Sequence, residues 1–437
     1  MAYEHLEELG KVVVERCRNI DKESGVFVSF DADLIAEDMK LFEEKLEQGE
    51  ELPLAGLSFV LADNISTAGI RTTCGSKMLA SYQPLFDAEA VSRLKDNGAL
   101  LAGKTTVDEF GFGVSSVKSG AAKAVSAGAV NFALSVDTVG ELRQAASIHG
   151  IAAIKPTYGR IPRKGVVGYA ASLEVLGIMA KKVTELAVIL KYIAGHLPAD
   201  PTSLIGEVPD YPSLLEEGPA EFKIAVPADW SEARGIDEPT KKIFGTQLKL
   251  LDEYGFRIEL VPFSYFYHSF LVAQFISAVE AFSDLANYDG VRFGYRDGAK
   301  HLQEMFINSR SKGMSNRLKR FLVFGALVSS KKYFNRCYLQ AQKMRTLIKE
   351  ELKTRLKKYD FIFTPTVPFT NAKTHDAYHD SLLNPASYYT AAANLAGLPA
   401  LTIPIAHSEV HMPGLHFIGS DETGLLQAAL RLEKEYL

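Results

Sequence analysis

The sequence contains few cysteines, a single tryptophan and no strong excess of charge of either sign. Its three cysteines, Cys17, Cys74 and Cys337, are scattered through 437 residues, which excludes a disulfide framework and matches no zinc-binding spacing. A net charge of −5 argues against a protein that binds nucleic acid through its overall field. These features favour a reducing compartment, and we expect a cytoplasmic protein.

Long apolar runs are absent as well. No run reaches the roughly 18 to 20 residues that span a bilayer, and the charged residues 1–18 do not resemble a signal peptide. We therefore expect no contact with a membrane. The apolar share of 47% is ample for one or two large cores, so a globular protein of enzyme size is predicted.

Helical and strand-like patterns alternate along most of the chain. Apolar residues recur at helical spacing through residues 1–50, and short apolar runs then alternate with helical segments. The predicted strands cover residues 57–61, 99–102, 132–136, 151–154, 222–227, 257–262, 361–363, 400–405 and 415–418. This order predicts an α/β fold in which a mixed, mainly parallel sheet is covered by helices on both faces.

The chain is predicted to form one domain, residues 1–437, with an inserted helical lobe. N-terminal helices occupy residues 1–50, and a region of strands and helices follows over 51–205. The proline-containing stretch 196–219 is the best candidate for a lobe boundary. Residues 220–358 are mainly helical, and 359–437 are expected to return to the first sheet.

Residues 137–143, Asp-Thr-Val-Gly-Glu-Leu-Arg, are the candidate functional turn. They follow a predicted strand and precede a predicted helix. Backbone N–H groups are free at such a turn, and α/β enzymes often place a nucleophile or an oxyanion hole there. Here the turn carries a carboxylate, that of Glu141.

Several longer motifs, in collinear order, resemble the amidase signature family over nearly the full chain. They are residues 69–78, 98–104 with 108–110, 155–160, 288–296, 342–349, 364–366 and 394–399. Within the family, the sequence is most similar to the A subunits of the glutamyl-tRNA(Gln)/aspartyl-tRNA(Asn) amidotransferases. The resemblance implies the amidase-signature fold and a Ser–cisSer–Lys triad that hydrolyses amides.

This chain departs from the family at all three triad positions. Ala62 stands where the family's Lys-Asp-Asn motif has its lysine, and the Gly/Ser loop that carries the bridging serine is deleted before residue 121. Glu141 replaces the nucleophilic serine, and Val139 alters the oxyanion turn. Losing one triad member typically costs on the order of 10⁴ to 10⁶ in rate. We therefore predict no catalytic residues, with Ala62 and Glu141 as degenerate positions.

The resemblance also implies which residues lined the family's pocket. Ser387 stands where the family has a glutamine-binding aspartate, and Tyr295 and Arg320 correspond to other pocket positions. Thr138 and Gly140 belong to the nucleophile turn itself. These five residues are the candidates for ligand binding.

Two interpretations of Glu141 stay open. It could cap the helix N-terminus, where a negative charge is favoured by about 0.3 to 1 kcal/mol, or it could act as a new general base or fill the site as a ligand mimic. A displaced Ser–Lys pair is a further alternative, against which we favour ordinary loop residues: Ser115, Ser116, Ser119, Lys118 and Lys123.

Other conspicuous residues have simpler explanations. Cys74 is interpreted as a core thiol, because no histidine stands in a recognisable arrangement with it. Five histidines match no ligand motif and are interpreted as surface-loop residues: His375, His379, His407, His411 and His416. Neither a metal nor a cofactor is expected. A basic helix predicted over residues 312–358 is interpreted as a solvated face, with docking of tRNA or an acidic partner as the alternative.

Three functional hypotheses follow. The first is a non-catalytic, amidase-like structural or regulatory subunit, partnered by proteins that resemble the amidotransferase B or C subunits or by a second copy of itself, with tRNA contacted only indirectly. The second is an active glutamine amidohydrolase or amidotransferase subunit with an unusual site. The third is a sensor that binds an amide or an amino acid.

Overall fold

An eleven-stranded sheet forms the centre of the computed structural model, which describes residues 6–113, 118–233, 235–371, 385–405 and 413–435. The strands are β1 (Phe27–Ser29), β2 (Ser58–Ala62), β3 (Leu100–Thr105), β4 (Phe132–Asp137), β5 (Ala152–Lys155), β6 (Val175–Ala180), β7 (Phe222–Pro227), β8 (Phe256–Val261), β9 (Phe361–Pro365), β10 (Ala400–Ile403) and β11 (Leu415–Gly419). All nine strands predicted from the sequence are therefore present.

Fourteen α-helices lie in the described ranges. They are α1 (Leu6–Ser24), α2 (Ala32–Glu47), α3 (Glu89–Asp96), α4 (Gly120–Ser126), α5 (Glu141–His149), α6 (Val183–Ile193), α7 (Tyr211–Leu214), α8 (Glu238–Leu250), α9 (Ser269–Asp284), α10 (Leu302–Gly313), α11 (Asn316–Ser329), α12 (Tyr338–Arg355), α13 (Ser387–Ala396) and α14 (Glu422–Glu435). One apolar cluster contains residues of α1, α2, α4 and α5, and another contains residues of α3, α6, α8 and α14.

The sheet is mixed, and its order is β1-β3-β2-β4-β6-β5-β10-β11-β9-β7-β8. The α/β class is confirmed, but the prediction of a mainly parallel sheet is wrong, because only four of the ten neighbouring pairs are parallel. The sequence analysis missed β1 and β6. Strand β6 lies between β4 and β5 and runs antiparallel to both. It is a short, fully buried apolar run, which periodicity alone cannot distinguish from a buried helix.

The last strands join the sheet that the first part of the chain begins. Strand β10 pairs with β5, with Ala400 opposite Lys155, and β9 links the parallel strands β7 and β8 to β11. One hydrogen-bonded sheet thus connects residues that are more than 200 positions apart.

The predicted basic helix over residues 312–358 is wrong as a single element. Helix α10 ends at Gly313, and α11 and α12 follow as separate helices. The side chain of Ser315 accepts a hydrogen bond from the N–H of Leu318 at 3.2 Å, and such a serine cap starts a new helix. The basic residues are therefore divided among three helices and the segments that follow α11 and α12.

One helical stretch in the described ranges, Phe266–Asn287, has the length and apolar composition of a membrane span. Half of its apolar window is buried inside this protein. A core helix passes the same composition test, and the stretch carries no argument for a membrane.

Ile178 is fully buried on the central strand β6. Truncating its side chain should leave a cavity and cause a large loss of stability. We expect Ile178→Ala to lower the free energy of unfolding by about 2 to 5 kcal/mol. Leu260→Ala is the matched control, because Leu260 lies on the edge strand β8 and is 57% exposed. This substitution should lower the free energy of unfolding by no more than about 0.5 kcal/mol. Chemical denaturation measures both, and equal losses would contradict the central role of β6.

Candidate functional site

The candidate site lies at one edge of the sheet, where β2 and β4 both end. These strands are parallel neighbours, so their carboxyl ends meet at the same edge, which is where open α/β sheets usually bind ligands. Ala62 is the last residue of β2, and Glu141 begins α5 directly after the turn that follows β4. Both residues line one cavity of about 520 Å³.

Glu141 folds its side chain back onto the turn that precedes it. Its Oε2 accepts hydrogen bonds from the backbone N–H groups of Thr138 and Val139, each at 2.8 Å. These are the free N–H groups expected at a strand-to-helix turn. The protein's own carboxylate thus occupies the place where such a turn would hold an anionic ligand or a developing oxyanion.

The environment of Glu141 disfavours its charge. Burial, and to a lesser extent the nearby carboxylate of Asp137, raise the pKa of this carboxyl to about 7, even though the backbone N–H bonds act in the opposite direction. Its second oxygen, Oε1, is buried and accepts no hydrogen bond from the described residues. At neutral pH the group is therefore divided between its two protonation states.

A fully buried ion pair lies beneath the turn. The guanidinium of Arg143 donates two hydrogen bonds of 2.9 Å to the two oxygens of Asp137, and a third of 2.6 Å to Oδ1 of Asn394. Asn394 in turn donates to the carbonyl and carboxylate of Asp137. Burial alone would raise the pKa of Asp137, but Arg143 holds it below its ordinary value. This cluster ties the turn to α13.

His416 belongs to the same cluster, so its interpretation as a surface-loop residue is wrong. It is fully buried on β11, and its Nε2 lies 2.7 Å from a guanidinium nitrogen of Arg143. Because arginine only donates, Nε2 must accept, and Nδ1–H then donates to Oγ1 of Thr364 at 3.0 Å. Burial, with Arg143 and Lys155 nearby, holds the pKa of His416 well below its usual range.

Gly140 packs against α13, and Ser387 is the first residue of that helix. Gly140 has a φ of +117°, and a Cβ added there would lie 2.0 Å from Oγ1 of Thr390, so both conformation and space require glycine. Thr390 Oγ1 donates to the carbonyl of Val139 at 2.7 Å. Ser387 is buried, and its Oγ accepts a hydrogen bond of 3.3 Å from Gln144.

The structure places Tyr295 and Arg320 apart from the cavity that contains Glu141. Neither residue belongs to its lining. The hydroxyl of Tyr295 donates to Asp297 at 3.0 Å, and its ring lies 4.1 Å from the ammonium of Lys77. Arg320 is exposed on α11. None of the five candidate ligand-binding residues lines this cavity. Thr138 and Gly140 lie in the turn before Glu141, and Ser387 lies on α13 behind the turn.

The displaced Ser–Lys alternative falls partly outside the described residues, which do not include Ser115 and Ser116. Lys118, Ser119 and Lys123 do line the cavity. The side chain of Ser119 accepts a hydrogen bond from the N–H of Ala122 at 3.3 Å, as the cap of α4. The structure therefore brings two lysines to the cavity wall.

The metal and thiol expectations concern other residues. His375, His379, His407 and His411 lie outside the described residues, and within the described ranges no group of three potential metal ligands comes together. Cys74 is fully buried, and burial raises the pKa of its thiol, so it packs as the core thiol that the sequence indicated.

Sequence reasoning missed the part of the cavity wall contributed by Asn64. Its Nδ2 donates to the carbonyl of Val167 at 3.0 Å, which fixes the orientation of the amide. Its Oδ1 is then buried without a donor among the described residues. Asn64 stands two positions after Ala62 in the degenerate Lys-Asp-Asn motif, and this spacing was the available signal.

The sequence as a whole matches the family model described as Amidase over residues 8–119 and 113–423. The chain belongs to the amidase signature family. Among curated amidase signature relatives, it is 36% identical to the A subunit of the glutamyl-tRNA(Gln) amidotransferase of Caldanaerobacter subterraneus subsp. tengcongensis and 37% identical to that of Carboxydothermus hydrogenoformans. Each alignment covers 98% of this chain and 93% of the relative.

Solved amidase signature structures share the fold. The A subunit of the glutamyl-tRNA(Gln) amidotransferase of Thermotoga maritima superposes with a TM-score of 0.76 at 29% identity, covering 99% of this chain and 92% of that one. The peptide amidase of Stenotrophomonas maltophilia superposes with a TM-score of 0.78 at 22% identity over 98% and 93%. At this identity, the similarity to the peptide amidase supports the fold and carries no argument about function.

The raised pKa of Glu141 predicts a stability that depends on pH. The carboxyl has a pKa of about 4.5 in the unfolded chain and about 7 in the folded protein, so the folded protein binds the proton more tightly. The contribution of this group to the stability of the folded state therefore decreases as pH rises from about 4.5 to 7. The variant Glu141→Gln keeps an acceptor for both N–H groups but does not titrate. Across this window we expect its free energy of unfolding to rise, relative to that of the wild type, by up to about 3 kcal/mol.

Chemical denaturation of both proteins from pH 4.5 to 8 measures this difference. Glu304→Gln on α10 is the control, because Glu304 is exposed and should leave the pH dependence unchanged. If the difference in free energy of unfolding between Glu141→Gln and wild type stays constant with pH, the raised pKa is contradicted.

Proposed function

We propose that this protein is a non-catalytic subunit, related to the A subunit of the tRNA-dependent amidotransferases, that kept the amidase fold and lost its hydrolytic chemistry. The observation that carries the proposal is the contact of Glu141 Oε2 with the N–H groups of Thr138 and Val139. An acyl-transfer site needs those donors free for the oxyanion of its intermediate. Here a side chain from the same turn takes both.

The neighbouring positions support this proposal. Nucleophilic catalysis needs a hydroxyl or thiol activated by an adjacent base, and the position at the start of α5 is a carboxylate. Ala62, which lines the same cavity, contributes only a methyl group in the place of the family's lysine. Glu141 itself is poorly placed as a base, because its Oε2 is held by the backbone and no hydroxyl donates to Oε1 among the described residues.

The relatives' name, which denotes one subunit of an amidotransferase, supports a role within a complex. We infer that the partners are proteins that resemble the amidotransferase B or C subunits, or a second copy of this chain, in the cytoplasm, and that tRNA is contacted only through such a complex. Exposed basic residues between α11 and α12, Lys331, Lys332 and Arg336, are consistent with an acidic partner surface.

An active glutamine amidohydrolase is the second candidate function. The observation that favours it is the relatives' name over nearly the full length of the chain. The Glu141 carboxyl lines the cavity, and its pKa of about 7 is in the range that general base catalysis at neutral pH requires, although the backbone holds one of its oxygens. In that case Glu141 would activate water directly, without a covalent intermediate.

Turnover measurements separate the two candidates. We expect no release of ammonia from glutamine, asparagine or simple amides above background, and no difference between wild type and Glu141→Ala. Turnover that decreases at least a hundredfold in Glu141→Ala, while Glu304→Gln keeps the wild-type rate, would overturn the non-catalytic proposal in favour of the second candidate.

The subunit proposal predicts a stable complex in the native host. Affinity purification of the full chain at its natural abundance, followed by size-exclusion chromatography, should return an assembly larger than one chain. Replacing Lys331, Lys332 and Arg336 together by glutamate should weaken it at least tenfold if the partner surface is acidic. A monomer without any copurifying protein would count against a role within a complex.

A further inference from the structure

Helix α11 directs an apolar strip away from the protein. Val323 and Leu327, four positions apart, lie on one face of this helix and are 70% and 51% exposed. Arg320, one turn before Val323, is exposed on the same face. The ring of Phe324 lies 5.5 Å from that of Phe275 on α9, so the strip continues onto a second helix. An exposed apolar patch that extends over two helices indicates an interaction surface.

This strip lies in a strongly basic part of the chain. Between Glu304 and Glu350 the sequence has eleven lysines and arginines and no acidic residue, although the net charge of the whole chain is −5. Three exposed basic residues follow the end of α11, and none has an ion-pair partner among the described residues: Lys331, Lys332 and Arg336. Together with Arg320, Val323 and Leu327, they form what we call the basic face.

Helix α2 presents a surface of the opposite charge. Residues 31–51 contain nine acidic residues and two lysines. Leu34 and Leu41, two turns apart on one side of the helix, are 43% and 45% exposed. Four acidic residues of α2 are exposed as well: Asp33, Glu37, Glu44 and Glu47. These six residues form the acidic face, which also combines apolar side chains with charge of one sign.

The two faces do not cover each other within one chain, because both are exposed there. Helix α2 packs on α1 and β3, and α11 packs on α9. A second copy would bring each face a surface of unlike charge that also has apolar side chains to bury. The net negative charges of two copies repel each other only weakly, because salt screens charges over about 8 Å at physiological ionic strength. The local contact therefore decides whether two copies associate.

We propose that this protein self-associates, with the acidic face of one copy docked on the basic face of a second copy. The inference deepens the proposed subunit role, on which it rests, because it names the chain itself as a partner. A nucleic acid would neutralise the basic face through its phosphates, but it would leave Val323 and Leu327 without an apolar partner. Because the two faces differ, the copies form either a closed assembly or an open chain.

Charge reversal on the purified full chain, treated with ribonuclease, tests the contact. Sedimentation velocity should show a monomer that associates as its concentration rises, and added salt should weaken this association. The basic-face variant combines Lys331→Glu, Lys332→Glu and Arg336→Glu. The acidic-face variant combines Glu37→Lys, Glu44→Lys and Glu47→Lys. Each variant alone should associate at least about tenfold more weakly than wild type, because like charges then meet.

An equal mixture of the two variants should regain association. In the mixture, each contact again pairs an acidic surface with a basic one, so a loss caused by misfolding cannot be restored in this way. The matched control carries the same change in net charge on exposed residues of β7 and α8: Lys223→Glu, Lys242→Glu and Lys249→Glu. It should associate like wild type.

A further pair of variants tests the apolar part of the contact without changing charge. Leu327→Ser should weaken association by about three- to tenfold, because it removes an apolar side chain from the centre of the basic face. Leu260→Ser is its control, since Leu260 is similarly exposed, at 57%, but lies on β8. Equal effects of the two substitutions would contradict the placement of the contact.

The proposal is overturned if the protein stays monomeric at every soluble concentration, or if association occurs only before ribonuclease treatment. It is also overturned if both reversed variants associate like wild type, if the charge control loses association equally, or if the mixture does not regain it. None of these outcomes tests catalysis. A monomeric protein without amide turnover would leave the non-catalytic proposal standing with another protein as partner, whereas amide turnover would contradict that proposal without changing the sedimentation result.

Discussion

The candidate site depends on the buried pair of Arg143 and Asp137. A guanidinium without solvent exposure is tolerated only when its donors are satisfied, and here Asp137, Asn394 and His416 accept from it. These partners come from β4, α13 and β11. The pair therefore ties the turn after β4 to two elements that follow it by more than 240 residues, and removing one member would leave a buried charge uncompensated.

The fixed conformation of the turn explains how the side chain of Glu141 can occupy both of its free N–H groups. Asn394 holds the backbone carbonyl of Asp137 and Arg143 holds its carboxylate. The N–H groups of Thr138 and Val139 then point to one place, and Glu141 at the start of α5 is close enough to reach both. The same geometry buries its carboxyl and raises its pKa. The N–H groups of this turn are suited to binding an oxyanion, and here they bind the protein's own carboxyl. The protonation of that carboxyl changes near neutral pH.

Sequence reasoning performed differently for the fold and for the site. Strands with β-branched, apolar residues such as 222–227 were placed correctly, whereas β6, a buried run interrupted by Gly177, was missed. That omission accounts for two of the six antiparallel pairs, those of β6 with β4 and β5. The neighbouring pairs β5–β10, β10–β11 and β11–β9 are antiparallel as well, although their strands were predicted. At the site, replacements at Ala62 and Glu141 could be found by position, but the unsatisfied oxygen of Asn64 could not, because satisfaction depends on atoms from distant segments.

The sequence by itself determined the family and the α/β class, because these properties are encoded in local motifs and collinear order. It also singled out Ala62 and Glu141 by their positions in those motifs. Only the tertiary structure decided what those residues do. It gave His416 a buried role instead of a surface one, separated Tyr295 and Arg320 from the cavity, and brought the Glu141 carboxylate onto two backbone N–H groups. Burial and hydrogen bonding arise from contacts between segments far apart in the chain, and no local pattern specifies them.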